Sequence, residues 1–175
     1  MMSPDDGAVK RSRDFALMLG TSFGICHKDH IQGGKSEITD VTGDVKGKTV
    51  MVPDDIIGTG GTLLAVNEAL RDRGVKAVYF MGAHCILCPR EGASKTIEQQ
   101  FREQEIKLVT TDTVPKSSEY MKKHQDICEW LSVSKCLAGF IQKDFEHSSL
   151  RTFLESFPRR VLEGRVSINN YLIRP

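Results

Sequence analysis

The sequence predicts an α/β fold of three layers, with a mostly parallel central sheet and helices on both faces. Three observations predict it. Short apolar runs alternate with helix-length amphipathic segments; one apolar run leads through two acids and a Gly/Thr loop into a helix; and 175 residues, 39% hydrophobic and 27% charged, suit one buried core.

The elements follow in order. Val9 to Leu19 places Val9, Phe15, Ala16 and Leu19 at helical spacing and stops at Gly20, so it reads as a helix, and Ser22 to Cys26 reads as a short strand. Asp29 to Gly47, with Gly33-Gly34 and few apolar residues, reads as a long irregular connection, and such loops tend to be functional, so it is expected to be an active-site flap. Thr49 to Val52 is a strand closed by Pro53, where a missing ladder donor is tolerable. Leu63 to Arg73 is its helix, stopped by Gly74, and Ala77 to Ala83 is the next strand. Ser94 to Gln104 reads as a helix, Lys107 to Thr110 and Ile127 to Leu131 as strands, the latter carrying Trp130, and Ser132 to Glu146 as a closing helix. Strands separated by helices of this length imply parallel pairing, right-handed crossovers and ligands at the carboxyl ends of strands. One domain is expected over residues 1–147. Residues 148–175, where Leu150, Phe153, Leu154 and Phe157 form an amphipathic stripe before Arg159-Arg160, are expected to pack on it or to make a subunit contact.

Composition excludes several function classes. A net charge of +1 offers no broad field for nucleic acid or an anionic membrane, and no apolar run approaches the ~20 residues of a membrane span. No basic-then-apolar segment opens the chain, so a cytoplasmic location is expected. Cys26, Cys85, Cys88, Cys128 and Cys136 are odd in number and read as reduced, buried thiols. His84-Cys85-x-x-Cys88 could contribute to a zinc site, but no second pair of ligands follows to complete a tetrahedral set.

The chemistry concentrates in Lys48-Thr49-Val50-Met51-Val52-Pro53-Asp54-Asp55-Ile56-Ile57-Gly58-Thr59-Gly60-Gly61-Thr62. Backbone N–H groups of a glycine-rich loop at a helix N-terminus converge and carry positive partial charge, which suits a phosphate dianion. Thr59 and Thr62 add hydroxyl donors, and Gly60 and Gly61 are expected to take positive φ and let the backbone approach closely. Asp54 and Asp55, one step back, can accept hydrogen bonds from vicinal sugar hydroxyls or hold Mg²⁺. Phosphate and diol are thus read together. The lysine of a Walker A loop and the spacing of a dinucleotide fingerprint are both missing, and a ligand-free turn would not need paired acids before two threonines.

With these residues the chain resembles the type I phosphoribosyltransferase family, whose phosphoribosyl motif has the form apolar-acid-acid-x-x-x-Thr-Gly-Gly-Thr. Three further segments resemble the ribose-phosphate pyrophosphokinases within it: Ser3-Pro4-Asp5-Asp6-Gly7-Ala8-Val9-Lys10-Arg11 is similar to their pyrophosphate loop, Gly43-Asp44-Val45-Lys46-Gly47-Lys48 to the turn before their ribose-phosphate strand, and Thr111-Asp112-Thr113-Val114-Pro115 to a late strand end. The resemblance runs from Met1 to about Phe145 and reaches only the second half of that family's chain.

It implies a phosphoribosyltransferase-type fold and the C-terminal half of an enzyme that converts ATP and ribose 5-phosphate to AMP and phosphoribosyl pyrophosphate with Mg²⁺, as a homo-oligomer. By position it implies that Gly58, Thr59, Gly60, Gly61 and Thr62 with Asp54 and Asp55 bind ribose phosphate. Asp5, Asp6 and Gly7 form the pyrophosphate loop, and Asp5 joins Asp54 and Asp55 as a metal acid. Lys28 stands at a catalytic lysine, and His30 where relatives carry an arginine, a substitution that loses the bidentate fork. Gly58 replaces an acid or small residue that faces the sugar in relatives, and His84 matches a histidine after the fourth core strand. Three alternatives stay open: a non-catalytic regulatory subunit, which His30 and Gly58 would explain; a stand-alone base phosphoribosyltransferase, for which the flap has no aromatic residue to stack a base; and a piece of a longer chain, since Met1-Met2 stands where the second domain's first strand would begin.

Overall fold

The structure, a computed structural model, describes residues 1–30, 36–89 and 92–156. The elements are β1 (Met2–Ser3), α1 (Val9–Leu19), β2 (Gly24–His30), β3 (Ser36–Thr42), β4 (Thr49–Ile57), α2 (Gly61–Asp72), β5 (Ala77–Cys85), α3 (Ile97–Glu103), β6 (Lys107–Thr111), α4 (Ser118–Lys123), β7 (Cys128–Leu131), α5 (Ser134–Phe145) and α6 (Leu150–Ser156).

Two sheets form. β4, β5, β6 and β7 make a parallel four-stranded sheet in chain order, each joined to the next by a helix. β1 pairs parallel with β2, and β2 antiparallel with β3. The parallel strands are apolar runs whose Val50, Val52, Val78, Phe80 and Leu108 are buried against Val66 and Leu70 of α2 and Phe101 of α3. α2, α3 and α4 stand side by side: Asn67 Nδ2 of α2 donates to the Gln104 carbonyl just past α3, and Tyr120 of α4 donates its hydroxyl to Glu98 of α3.

Local chemistry sets the helix ends. α1 stops at Gly20, whose φ of 60° lets its N–H reach the Ala16 and Leu17 carbonyls. α3 starts in a capping box in which Thr96 Oγ1 accepts from Gln99 N and Gln99 Oε1 accepts from Thr96 N.

Four expectations are corrected. The irregular connection expected over 29–47 contains a strand, because Ser36–Thr42 pairs antiparallel with β2; its residues are mostly polar, so it carries no apolar signal of its own, and residues 31–35 of the expected flap lie outside the described residues. β4 does not end at Val52: it continues to Ile57, so Asp54 and Asp55 lie inside the strand. Pro53 is therefore internal, and it is tolerated because β4 is an edge strand of its ladder. Gly61 is the first helical residue of α2, and Gly60 alone of the two takes positive φ. α4 adds a short helix after Pro115, started by Ser117 Oγ accepting from Tyr120 N.

Past residue 147, α6 leans on α5 through Phe153, which meets Phe140 edge-on with ring centroids 5.0 Å apart. The rest of the expected extension, 157–175, lies outside the described residues.

Candidate active site

The loop from Gly58 to Thr62 leaves β4 and opens α2. Gly60 sits at its N-cap with φ of 71°, and a Cβ there would stand 2.5 Å from Ile97 Cδ1, so both backbone and packing require glycine. No side chain caps the first turn of α2 and no acid lies in it, which leaves its N–H donors and the positive end of the helix dipole facing out. The chain after β5 braces the loop from behind: Ile86 and Leu87 donate N–H to the Ile57 carbonyl and Cys88 to that of Gly58. Gly58 itself has open space where a Cβ would go, so nothing in the packing demands glycine there.

The acid pair is held by a residue from another element. Arg11 of α1 places Nη1 2.9 Å from Asp55 Oδ2 and Nη2 3.4 Å from Asp54 Oδ1, bridging the two carboxylates. Each carboxylate also accepts the next backbone N–H, Asp55 N to Asp54 and Ile56 N to Asp55, both at 2.9 Å. The side chain of Asp54 is 19% exposed and that of Asp55 62%. Burial pushes the Asp54 carboxyl up to about 6, with the neighbouring Asp55 charge adding to the effect, whereas the hydrogen bond from Arg11 holds Asp55 below the ordinary range. Adjacent carboxylate oxygens are the donors Mg²⁺ takes, and a cation beside Asp54 would offset the cost of its buried charge, so this pair fits the metal. Asp5 is engaged otherwise: its Oδ1 accepts Ala8 N at 2.8 Å at the start of α1. Among the described residues no group of three or more His, Cys, Asp or Glu side chains gathers to hold a metal.

β2 brings a cation to the loop. Lys28 Nζ reaches Thr62 Oγ1 at 3.5 Å, across 34 residues of sequence. Its neighbour His27 stands between Asp6, 3.3 Å from Nδ1, and Thr42 Oγ1, 3.0 Å from Nε2, tying the loop of Asp5, Asp6 and Gly7 to the β2–β3 hairpin. The buried Ser3 steadies that loop by donating to the Asp5 carbonyl. His30 is the last residue of β2; its side chain lies outside the described part of the structure. Thus β2 brings Lys28 to Thr62 at the opening of α2, and α1 brings Arg11 to Asp54 and Asp55 in β4, while Thr59 is exposed on the loop between that strand and that helix.

Sequence reasoning missed Arg11 as a site residue. It ends the Ser3–Arg11 segment and lies one turn before Phe15 in α1, but its acids are 43 and 44 residues away, and only the tertiary fold joins them. The cysteines are free; Cys26, Cys85 and Cys128 are buried as expected, whereas Cys88 and Cys136 are only half-buried, and burial pushes the Cys26 thiol up to about 12.

A parallel sheet flanked by helices, with an uncapped glycine loop and paired acids at its carboxyl ends, defines the phosphoribosyltransferase-type class. Within it, the chain belongs to the phosphoribosyl pyrophosphate synthetase family: the family model of the phosphoribosyl synthetase-associated domain matches residues 7–154. The ribose-phosphate pyrophosphokinase of Aquifex aeolicus is 34% identical over 150 residues, which is 86% of this chain and 45% of that one. That of Bordetella pertussis is 37% identical over 119 residues, 68% of this chain and 37% of its own. Among solved structures, phosphoribosylpyrophosphate synthetase from Mycobacterium smegmatis matches with a TM-score of 0.69 at 31% identity, over 84% of this chain and 45% of that one. The chain spans under half the length of these relatives.

Proposed function

We propose that this chain is the C-terminal half of a ribose-phosphate pyrophosphokinase, the half that holds ribose 5-phosphate, and that with the half its relatives carry in addition it forms AMP and phosphoribosyl pyrophosphate from ATP and ribose 5-phosphate. One observation carries the reading: Lys28 meets Thr62 at the uncapped N-terminus of α2, the helix that follows the strand of the Arg11-braced acid pair, so the anion donors and the diol acceptors belong to one strand–loop–helix unit.

The 5-phosphate takes the N–H groups and hydroxyls of Gly58 to Thr62, and Asp54 and Asp55 accept from the vicinal ribose hydroxyls. Lys28 sets positive charge beside the phosphoryl groups, where transfer chemistry depends on positioning and neutralisation of spreading charge. Asp5, Asp6 and Gly7 form the turn that faces the diphosphate. Asp54 and Asp55 would be the residues to hold Mg²⁺, which when bound would supply charge neutralisation at the phosphoryl oxygens, while Asp5 keeps its Oδ1 on Ala8 N. Substrate ATP would draw on the additional half and on a homo-oligomeric neighbour.

A second reading, a non-catalytic subunit of that enzyme, is favoured by Gly58, which has open space and no packing reason to be glycine, and by His30 in place of an arginine. Two measurements test the proposal. In titration calorimetry with Mg²⁺, ribose 5-phosphate should bind, and Asp55→Asn or Thr62→Val should weaken it by about tenfold, the scale of a charge-assisted contact; equal affinities would remove the loop and acids from the function. When the chain is fused behind the first half of the Aquifex aeolicus relative, AMP release dependent on ribose 5-phosphate should appear. Its absence with intact ribose 5-phosphate binding would select the non-catalytic reading, and strong turnover by residues 1–175 alone would overturn the half-enzyme one.

A further inference from the structure

At the carboxyl ends of β5 and β6 the strands are tied by threonines rather than by ladder bonds. The ladder between them ends at Gly82 and Thr110. Beyond it Thr111 Oγ1 donates to the Ala83 carbonyl at 2.6 Å, Thr113 Oγ1 approaches the same oxygen at 2.8 Å, and the two hydroxyls lie 2.9 Å apart. His84 Nδ1 then sits 2.8 Å from Thr113 Oγ1. Four short contacts thus share two hydroxyl protons. Drawing one of these to the imidazole would leave a single proton among three crowded oxygens, so the third proton comes from the ring: Nδ1–H donates to Thr113. In the neutral ring this leaves Nε2 bare, an acceptor only.

His84 is exposed, and it pairs with Ile56 in the β4–β5 ladder, one strand across from the residue that follows Asp55. Neighbouring strands lie about 4.8 Å apart, so His84 leaves β5 beside the stretch of β4 that carries the acid pair, with its ring held by Thr113 on the β6 side. A bare imidazole nitrogen repels phosphate oxygens and welcomes a hydroxyl proton. The anionic groups of a ligand are directed instead to the N-terminus of α2 and to Lys28.

We propose that His84, oriented by Thr113, is a sugar-reading residue whose Nε2 accepts a hydrogen bond from a hydroxyl of the bound ribose. This rests on the ribose 5-phosphate reading above. Thr113 is a positioning residue that fixes which face and which nitrogen the ring presents.

The test combines calorimetry with imidazole ¹⁵N spectra of the 175-residue chain. Ribose 5-phosphate should bind His84→Ala about five- to tenfold more weakly than wild type, the scale of one net hydrogen bond. It should bind Thr113→Val a fewfold more weakly, and Thr113→Ser should restore it. Inorganic phosphate, followed by ³¹P titration, should bind all four proteins alike. In wild type the His84 Nδ1 resonance should be that of a protonated nitrogen and Nε2 that of a bare one; ribose 5-phosphate should move Nε2 towards the hydrogen-bonded position, and inorganic phosphate should not. Equal ribose 5-phosphate affinity in wild type and His84→Ala overturns the proposal while leaving the function standing, as does a ring protonated at Nε2. Equal weakening of phosphate and ribose 5-phosphate places the ring on the phosphate and also overturns it. Failure of wild type to bind ribose 5-phosphate overturns the function and the inference together.

Discussion

The glycine loop and the acid pair are neighbours held by different forces. Gly60 fixes the loop by shape: its left-handed backbone slides under Ile97 and Phe101, and the donors that follow are backbone groups whose positions do not titrate. Asp54 and Asp55 are fixed by charge, through an arginine from α1 and through their own protonation. The two halves of one site should therefore fail in different ways, the loop through packing and the acids through pH.

The largest expected effect breaks the loop. Gly60→Ala forces a β-carbon into left-handed backbone and against Ile97, and these two penalties together should cost about 2–5 kcal/mol of stability, read as a lowered urea midpoint with an unchanged m-value. Anion binding should fall with it, because the first turn of α2 is displaced.

The acid pair is probed by pH in metal-free buffer. The folded-state pKa of Asp54, about 6, lies above the ordinary unfolded value of about 3.9, so between these pH values the folded chain binds more protons than the unfolded one. Its contribution is fully present below about pH 4 and is lost as pH rises through about 6, a fall on the order of 2–3 kcal/mol. Asp55 is shifted the other way, so its stabilisation is lost only as pH falls below the ordinary carboxylate range, outside that window. Urea unfolding from pH 4 to 7 should show wild type losing stability relative to Asp54→Asn as pH rises through about 6, because the opposite contributions of His124, Glu98 and Glu146 are common to both proteins; parallel profiles would show that Asp54 is not buried as described.

The smallest effect sharpens the contrast inside the loop. Gly58→Asp points its Cβ into open space, so stability should change by no more than about 0.5 kcal/mol, while the added acid tests whether the sugar side lacks a group that relatives have. Unchanged melting with altered ribose 5-phosphate affinity would mark position 58 as facing the ligand.

Much of this architecture was legible in the chain. β4, β5 and β6 read as strands because each is an apolar run, and Gly20 and Gly74 signalled the ends of α1 and α2 by the left-handed conformation both adopt. β3 did not read as a strand because it is stabilised by pairing with β2 rather than by an apolar face, and α4 escaped because none of its residues is fully buried. Pro53 suggested a strand end and misplaced the acids by a few residues, since proline forbids only the ladder side and β4 has a free one. The loop and acids were visible as residue types in a fixed order, whereas the bridge from Arg11, the reach of Lys28 and the clamp of Thr113 on His84 join residues 29 to 44 positions apart, which local pattern does not encode.

Pro53 has one more consequence, for the solubility of the site. β4 carries the acids at an edge without ladder bonds that is faced by the two-residue β1, and an unladdered edge strand is a place where a further strand can add. A proline in the middle of that edge removes one rung, and the two carboxylates that follow penalise any strand laid against them. The strand that carries the acid pair is by the same residues closed to a further ladder partner.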